Sequence, residues 1–141
     1  MKKEDFILKS TSSFEEFKDF VDNHLLDKEH IAFDVETNAQ EPRSDKIEII
    51  GFSMSGEDNL GIYVSKRSLE SSMPTEDWNK VVDIFRNLNE SHSWIIHNVM
   101  YEYPVVFNDW GIRLNKFDDT LVKSRMIYGN RVSNTLKNLS R

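Results

Sequence analysis

The chain has 141 residues and a net charge of −6; it is 38% hydrophobic and 11% aromatic and contains no cysteine. That length fits one domain, nine Phe exclude a disordered chain, and the acidic balance argues against an obligate nucleic-acid binder without excluding an enzyme that acts on nucleic acid with divalent cations. The lack of cysteine excludes disulfides and thiolate metal sites, and no apolar run approaches the ~20 residues of a membrane span, so the expectation is a soluble, cytoplasmic protein with no membrane partner.

In chain order, Asp5–Ser10 reads as a short strand. "SFEE" (Ser13–Glu16) is a capping box that opens a helix, with Phe14, Phe17, Val21 and Leu25 on its apolar stripe. His30–Thr37 ("HIAFDVET") is a buried strand, followed by the polar loop "NAQEPRSDK". Ile47–Ser55, the hairpin turn "GEDN" and Leu60–Ser65 complete three successive antiparallel strands.

The pattern then changes. "MPTEDWNKVVDIFRNLN" is a helix with Thr75 as N-cap and the stripe Trp78, Val81, Val82, Phe85 and Leu88. Ser93–Asn98 is a short buried strand. The next helix is expected from near Glu102, because Pro104 suits a first turn, to Gly111. "IRLNKFDD" is a fifth core strand or extended segment; "DTLVKSRMIYG" is a helix closed by Gly129, and "SNTLKNLSR" begins another. Trp78 and Trp94 read as core, Trp110 as partly exposed. Lys123 and Arg125 read as a solvated helix face rather than phosphate contacts.

Asp34 and Glu36 lie two apart on a strand, so they share a face, while Ile31, Phe33 and Val35 share the other. Such alternation is ordinary in a half-exposed strand. On a central strand the two carboxylates repel each other unless a cation lies between them. Asn98 reads as a turn or cap residue and Glu102 as a first-turn acid. Asp118 or Asp119 reads as an N-cap of the helix that follows.

Taken together, "FDVET", "HNVMYEYPVV…GIRL", "FDDTLVKSRMI" and "SNTLKNL" resemble the proofreading 3′–5′ exonuclease domain of family A DNA polymerases, in the DnaQ-like or DEDD exonuclease superfamily, with a style close to bacteriophage polymerases. Asp34, Glu36 and Thr37 match the family's Asp-x-Glu-Thr. Asn98, Tyr101 and Glu102 match its Asn-x-x-x-Asp spacing, with Glu in place of Asp. Asp119-Thr120 and Leu136-Lys137-x-Leu139 match two further recurrent segments.

The resemblance implies an α/β, RNase H-like mixed five-stranded sheet with flanking helices. Residues 29–141 would form the core and 1–28 a strand–helix extension of a single domain truncated at its C-terminal end. It implies two divalent ions, Mg²⁺ or Mn²⁺, on Asp34, Glu36 and Glu102, one activating water and one stabilising the leaving 3′ oxygen. Thr37, Asn98 and Tyr101 would meet substrate, a single-stranded DNA 3′ end, and the remainder of a DNA polymerase would be the partner. The family's third motif, Tyr-x-x-x-Asp or His-x-x-x-Asp, has no match here, since Tyr128 is not followed by Asp four residues on. Little activity is therefore expected of these 141 residues alone. His97 reads as structural, with a general-base role as the alternative. Two other readings stand beside this one: a catalytically degenerate scaffolding module of a polymerase, and an RNA exonuclease of the RNase D kind.

Overall fold

Alternate burial along one strand sets the architecture. In the computed structural model of the chain, which describes residues 7–38, 41, 43–67 and 71–120, the strand His30–Thr37 buries Ile31, Phe33 and Val35 and turns Ala32, Asp34 and Glu36 outward. The elements are β1 (Ile7–Thr11), α1 (Phe14–Phe20, continued as a π-helical turn Val21–Leu25), β2 (His30–Thr37), β3 (Ile49–Glu57), β4 (Leu60–Ser65), α2 (Thr75–Ser91), β5 (Ser93–Ile96), α3 (Val99–Trp110) and β6 (Phe117–Asp119). They build one mixed sheet in the order β1-β4-β3-β2-β5-β6. Strands β2, β3 and β4 form the antiparallel meander expected from the sequence. β5 runs parallel to β2, and β6 parallel to β5.

The sheet has six strands where five were expected. The additional one is β1, which pairs in parallel with β4 from Ile7↔Leu60 to Thr11↔Val64 and so satisfies what would otherwise be a bare edge. The stretch set apart as an extension thus supplies a strand to the main sheet. Its helix opens as the capping box predicts, with Ser13 Oγ accepting from the Glu16 N–H at 3.3 Å. The reciprocal half of the box runs through a relay. Ser13 N–H donates to Thr11 Oγ1, and the Thr11 hydroxyl donates to the Glu16 carboxylate.

One face of the sheet meets α1 and α2 through aromatic rings. Phe52 of β3 packs edge-on against Phe17 of α1 and tilted against Trp78 of α2, while Phe33 of β2 lies against Phe85 and Trp94. The α2 stripe is buried as read from the sequence, with Val82 only partly covered. Thr75 is the first helical residue rather than the cap. Pro74 occupies the cap position, and its carbonyl accepts the Trp78 N–H at 3.0 Å. At the far end of α2 the buried Asn89 makes three hydrogen bonds. Its Oδ1 accepts from Trp94 Nε1 and from the Asn115 N–H, and its Nδ2 donates to the Arg113 carbonyl.

Helix α3 departs from expectation at its start and at its last residue. It begins at Val99, three residues before Glu102, with Pro104 inside it. Capping decides this. The Asp119 carboxylate accepts the Val99 N–H at 2.9 Å, and the Asn98 carbonyl accepts from Tyr101 and Glu102. Pro104 then forfeits one intrahelical bond without ending the helix. Trp110, expected to be partly exposed, is only 8% exposed, wedged edge-on against Phe52 and Phe85. Among the described residues beyond it, only Phe117–Asp119 joins the sheet, while Ile112 and Leu114 are buried on the approach to it.

Gly111 closes α3 in the left-handed region (φ 68°), with nothing within 4 Å of where a Cβ would stand. Gly111→Ala should therefore cost only the backbone penalty, about 1–2 kcal/mol in chemical denaturation, and Gly111→Asn less. Equal stability of all three would show that the left-handed turn is not formed. No described helix is long and apolar enough to cross a membrane. The two C-terminal helices expected from the sequence, with Lys123, Arg125, Tyr128, Leu136, Lys137 and Leu139, lie outside the described residues apart from Asp119, which ends β6, and Thr120.

Candidate active site

The site forms where β5 gives out beside β2. Pairing between them ends at Ala32↔Ile95, and the chain turns at His97–Asn98 into α3. Val35, farther along β2, has an N–H that no strand takes on that side. Glu102, on the first turn of α3, takes it instead: Oε1 accepts the Val35 N–H at 2.9 Å. Its side chain is thereby drawn inward, and Glu102 is only 3% exposed.

This places Glu102 against Asp34, and the two carboxyl groups are hydrogen-bonded to each other. Burial first, and then the charge of Asp34, push the Glu102 carboxyl up to about 8. Asp34 faces the open pocket, yet strand and helix crowd it enough that burial also pushes its carboxyl above the usual range. The hydrogen bond from Glu102 opposes that shift, and the charge of Glu36 adds to it. Two acids far apart in the chain thus converge, each holding its proton more tightly than it would in water.

Glu36 shares their face but leans the other way, its carboxylate accepting a long 3.4 Å contact from the Tyr63 hydroxyl of β4. Among the described residues no three His, Asp or Glu side chains gather tightly enough to hold a metal ion. The structure therefore brings Asp34 and Glu102 together and leaves Glu36 alongside.

The other residues singled out by sequence surround this pair. Thr37 Oγ1 and the Tyr101 hydroxyl are 3.0 Å apart, tying the end of β2 to the first turn of α3. Asn98 lies exposed on the pocket wall and contributes its carbonyl to α3. His97 is held by Thr120, with Nδ1 2.9 Å from Oγ1, in keeping with the structural reading. The pocket has a volume of about 570 Å³. Asp34, Glu102 and Tyr101 line one end, and the small residues Ala32, Ser53 and Gly61 line the outer face of the sheet.

Sequence reasoning missed two roles here. Asp119 caps α3, and Asp109 Oδ2 accepts the Ile49 N–H at the start of β3, at 2.7 Å; the cap expected of Asp118 or Asp119 on the helix that follows falls outside the described residues. Nothing local reveals either role, because each partner lies on a different element.

The fold is RNase H-like, matching that of exonucleases among solved structures. Brucella melitensis NrnC bound to pGG superposes with a TM-score of 0.66 at 14% identity, over 95% of this chain and 59% of its own. NrnC with bound Mg²⁺ gives 0.58 at 17% identity, over 95% of this chain and 58% of its own. Trypanosoma brucei RNase D in complex with RNA U12 gives 0.65 at 12% identity, over 86% of this chain and 40% of its own. The chain thus spans little more than half the length of NrnC and two-fifths that of RNase D. No protein-family model matches the sequence, and no curated protein does.

Proposed function

We propose that this chain is the RNase H-like domain of a divalent-metal-dependent 3′–5′ exonuclease acting on single-stranded nucleic acid ends. The observation that carries this reading is the Asp34–Glu102 carboxyl pair, half closed off from water at the end of a central strand. Two acids pressed together in this way repel each other once both are ionised, and hard oxygen donors suit Mg²⁺ or Mn²⁺. Asp34, Glu102 and, after a side-chain rotation, Glu36 would hold the ions. Bound there, two such ions supply a nucleophile at neutral pH and charge stabilisation for the leaving oxygen. The chain's own part is to hold Glu102 on the Val35 N–H, to brace the β2 end through Thr37 and Tyr101, and to offer Asn98 on the wall along which a strand enters. The flat floor of small residues leaves room for a base and sugar.

Two substrate readings follow from different observations. The motif set around Asp34, Asn98 and Asp119 favours a DNA-proofreading domain, with the rest of a polymerase as partner. The solved-structure similarity includes an RNase D in complex with RNA, and favours an RNA 3′ end. Titration calorimetry with Mn²⁺ tests the shared core of both. The 141-residue protein should bind Mn²⁺, and Glu36→Gln should weaken binding about tenfold. Absence of binding would favour the degenerate scaffolding module. Degradation of 5′-labelled DNA and RNA oligonucleotides by a longer chain that carries the third motif, compared side by side, separates the two substrates.

A further inference from the structure

Glu102 and Asp109 stand about two turns apart on one face of α3. Each accepts a strand N–H, Glu102 from Val35 of β2 and Asp109 from Ile49 of the neighbouring β3. Asp119 takes the first N–H of the same helix. Helix α3 is therefore fastened at three points: at its N-terminus, at the site, and near its C-terminus.

The third fastening lies at a shift of register. The ladder between β2 and β3 shifts between Glu36 and Thr37, so Ile49 lies opposite Thr37 across a bulge. The Asp109 side chain is half-buried there beside the Glu48–Lys66 ion pair, which lies 2.6 Å apart. It touches none of the residues proposed to hold metal.

We infer that Asp109 is a positioning residue: by pinning the C-terminal half of α3 to β3 it sets the depth at which Glu102 meets Val35 and Asp34. The inference rests on the metal-binding reading of Glu102. It also explains how a glutamate, one methylene longer than aspartate, is accommodated at that position. The extra length is taken up by the reach to the Val35 N–H, and the reach is constant only while α3 cannot slide.

The test uses the 141-residue protein, labelled with ¹⁵N, and two readouts: Mn²⁺ affinity by calorimetry and hydrogen exchange of the Val35 amide. Asp109→Ala should weaken Mn²⁺ binding about tenfold and speed Val35 exchange by a similar factor, whereas Asp109→Asn, which keeps an acceptor oxygen, should stay within about threefold of wild type in both. Asp109→Glu lengthens the tether by one methylene and should give a smaller change in the direction of the alanine variant; it carries the test if that variant does not fold. Unchanged Mn²⁺ affinity and Val35 exchange in the folded variants would overturn the inference. If wild type itself takes up no Mn²⁺, the functional reading fails, and Val35 exchange alone decides the role of Asp109.

Discussion

Glu102→Gln should abolish useful Mn²⁺ binding, weakening it about 100-fold (about 3 kcal/mol), while leaving the metal-free fold at least as stable as wild type above neutral pH. Glutamine keeps an oxygen for the Val35 N–H and offers an N–H to Asp34, so it reproduces the protonated acid without its ability to ionise. The sign of the pH dependence follows. The Glu102 carboxyl is raised from 4.5 to about 8 in the fold, so the folded state holds its proton where the unfolded chain has released it. Its contribution is fully present below about 4.5 and is lost as pH rises towards 8, by up to about 1.4 kcal/mol per pH unit.

Asp34 and Asp109 are shifted in the same direction. Glu48 is not: Arg67 and Lys66 hold it down at about 2, so its contribution falls away only in acid and adds no slope between pH 5 and 8. Urea midpoints for wild type should therefore decline across that window, and those for Glu102→Gln should be flatter. Mn²⁺ competes with the Glu102 proton, so wild-type affinity should rise with pH over the same interval. A glutamine variant that binds Mn²⁺ within threefold of wild type would remove Glu102 from the ligand set.

Trp94→Ala should produce the largest loss of stability, about 3–5 kcal/mol. Trp94 is fully buried, stacked on Phe85 with ring centres 4.6 Å apart and 5.3 Å from Phe33. Its indole N–H also satisfies one of the two hydrogen bonds accepted by Asn89 Oδ1, so truncation leaves both a cavity and a weakened polar junction at the end of α2. Against a typical net stability of about 5–15 kcal/mol, that loss is a large share. Trp94→Phe keeps a ring against Phe85 and should cost roughly half as much. Equal urea midpoints for Trp94→Ala and wild type would mean that this aromatic cluster does not form.

Some of this was legible because the signal was local. The limits of β2 and β4 follow from alternation and flanking turns, α1 begins where its capping box says, and the left-handed close of α3 follows from Gly111. That Asp34, Glu36 and Glu102 would share a site was expected from the family resemblance, not from anything local to the three residues; of the three, Asp34 and Glu102 lie together while Glu36 contacts Tyr63. What escaped was non-local. β1 found its place through an edge of β4 that sequence does not advertise, and α3 began early because Asp119 caps it from another strand. Trp110 was buried by three rings on two other elements despite the glycine beside it. The reach of Asp109 to β3 belongs to the same class.

The lean of Glu36 towards Tyr63 has a kinetic consequence. A contact of 3.4 Å on an exposed side chain is a loose latch. Swinging that carboxylate over to Asp34 takes torsions of one glutamate, a picosecond-to-nanosecond event, with no displacement of backbone. On the proposed metal-binding reading, the third oxygen donor would join a scaffold that is already assembled, and the slow part of metal uptake would fall to dehydration of the incoming ion and departure of a proton.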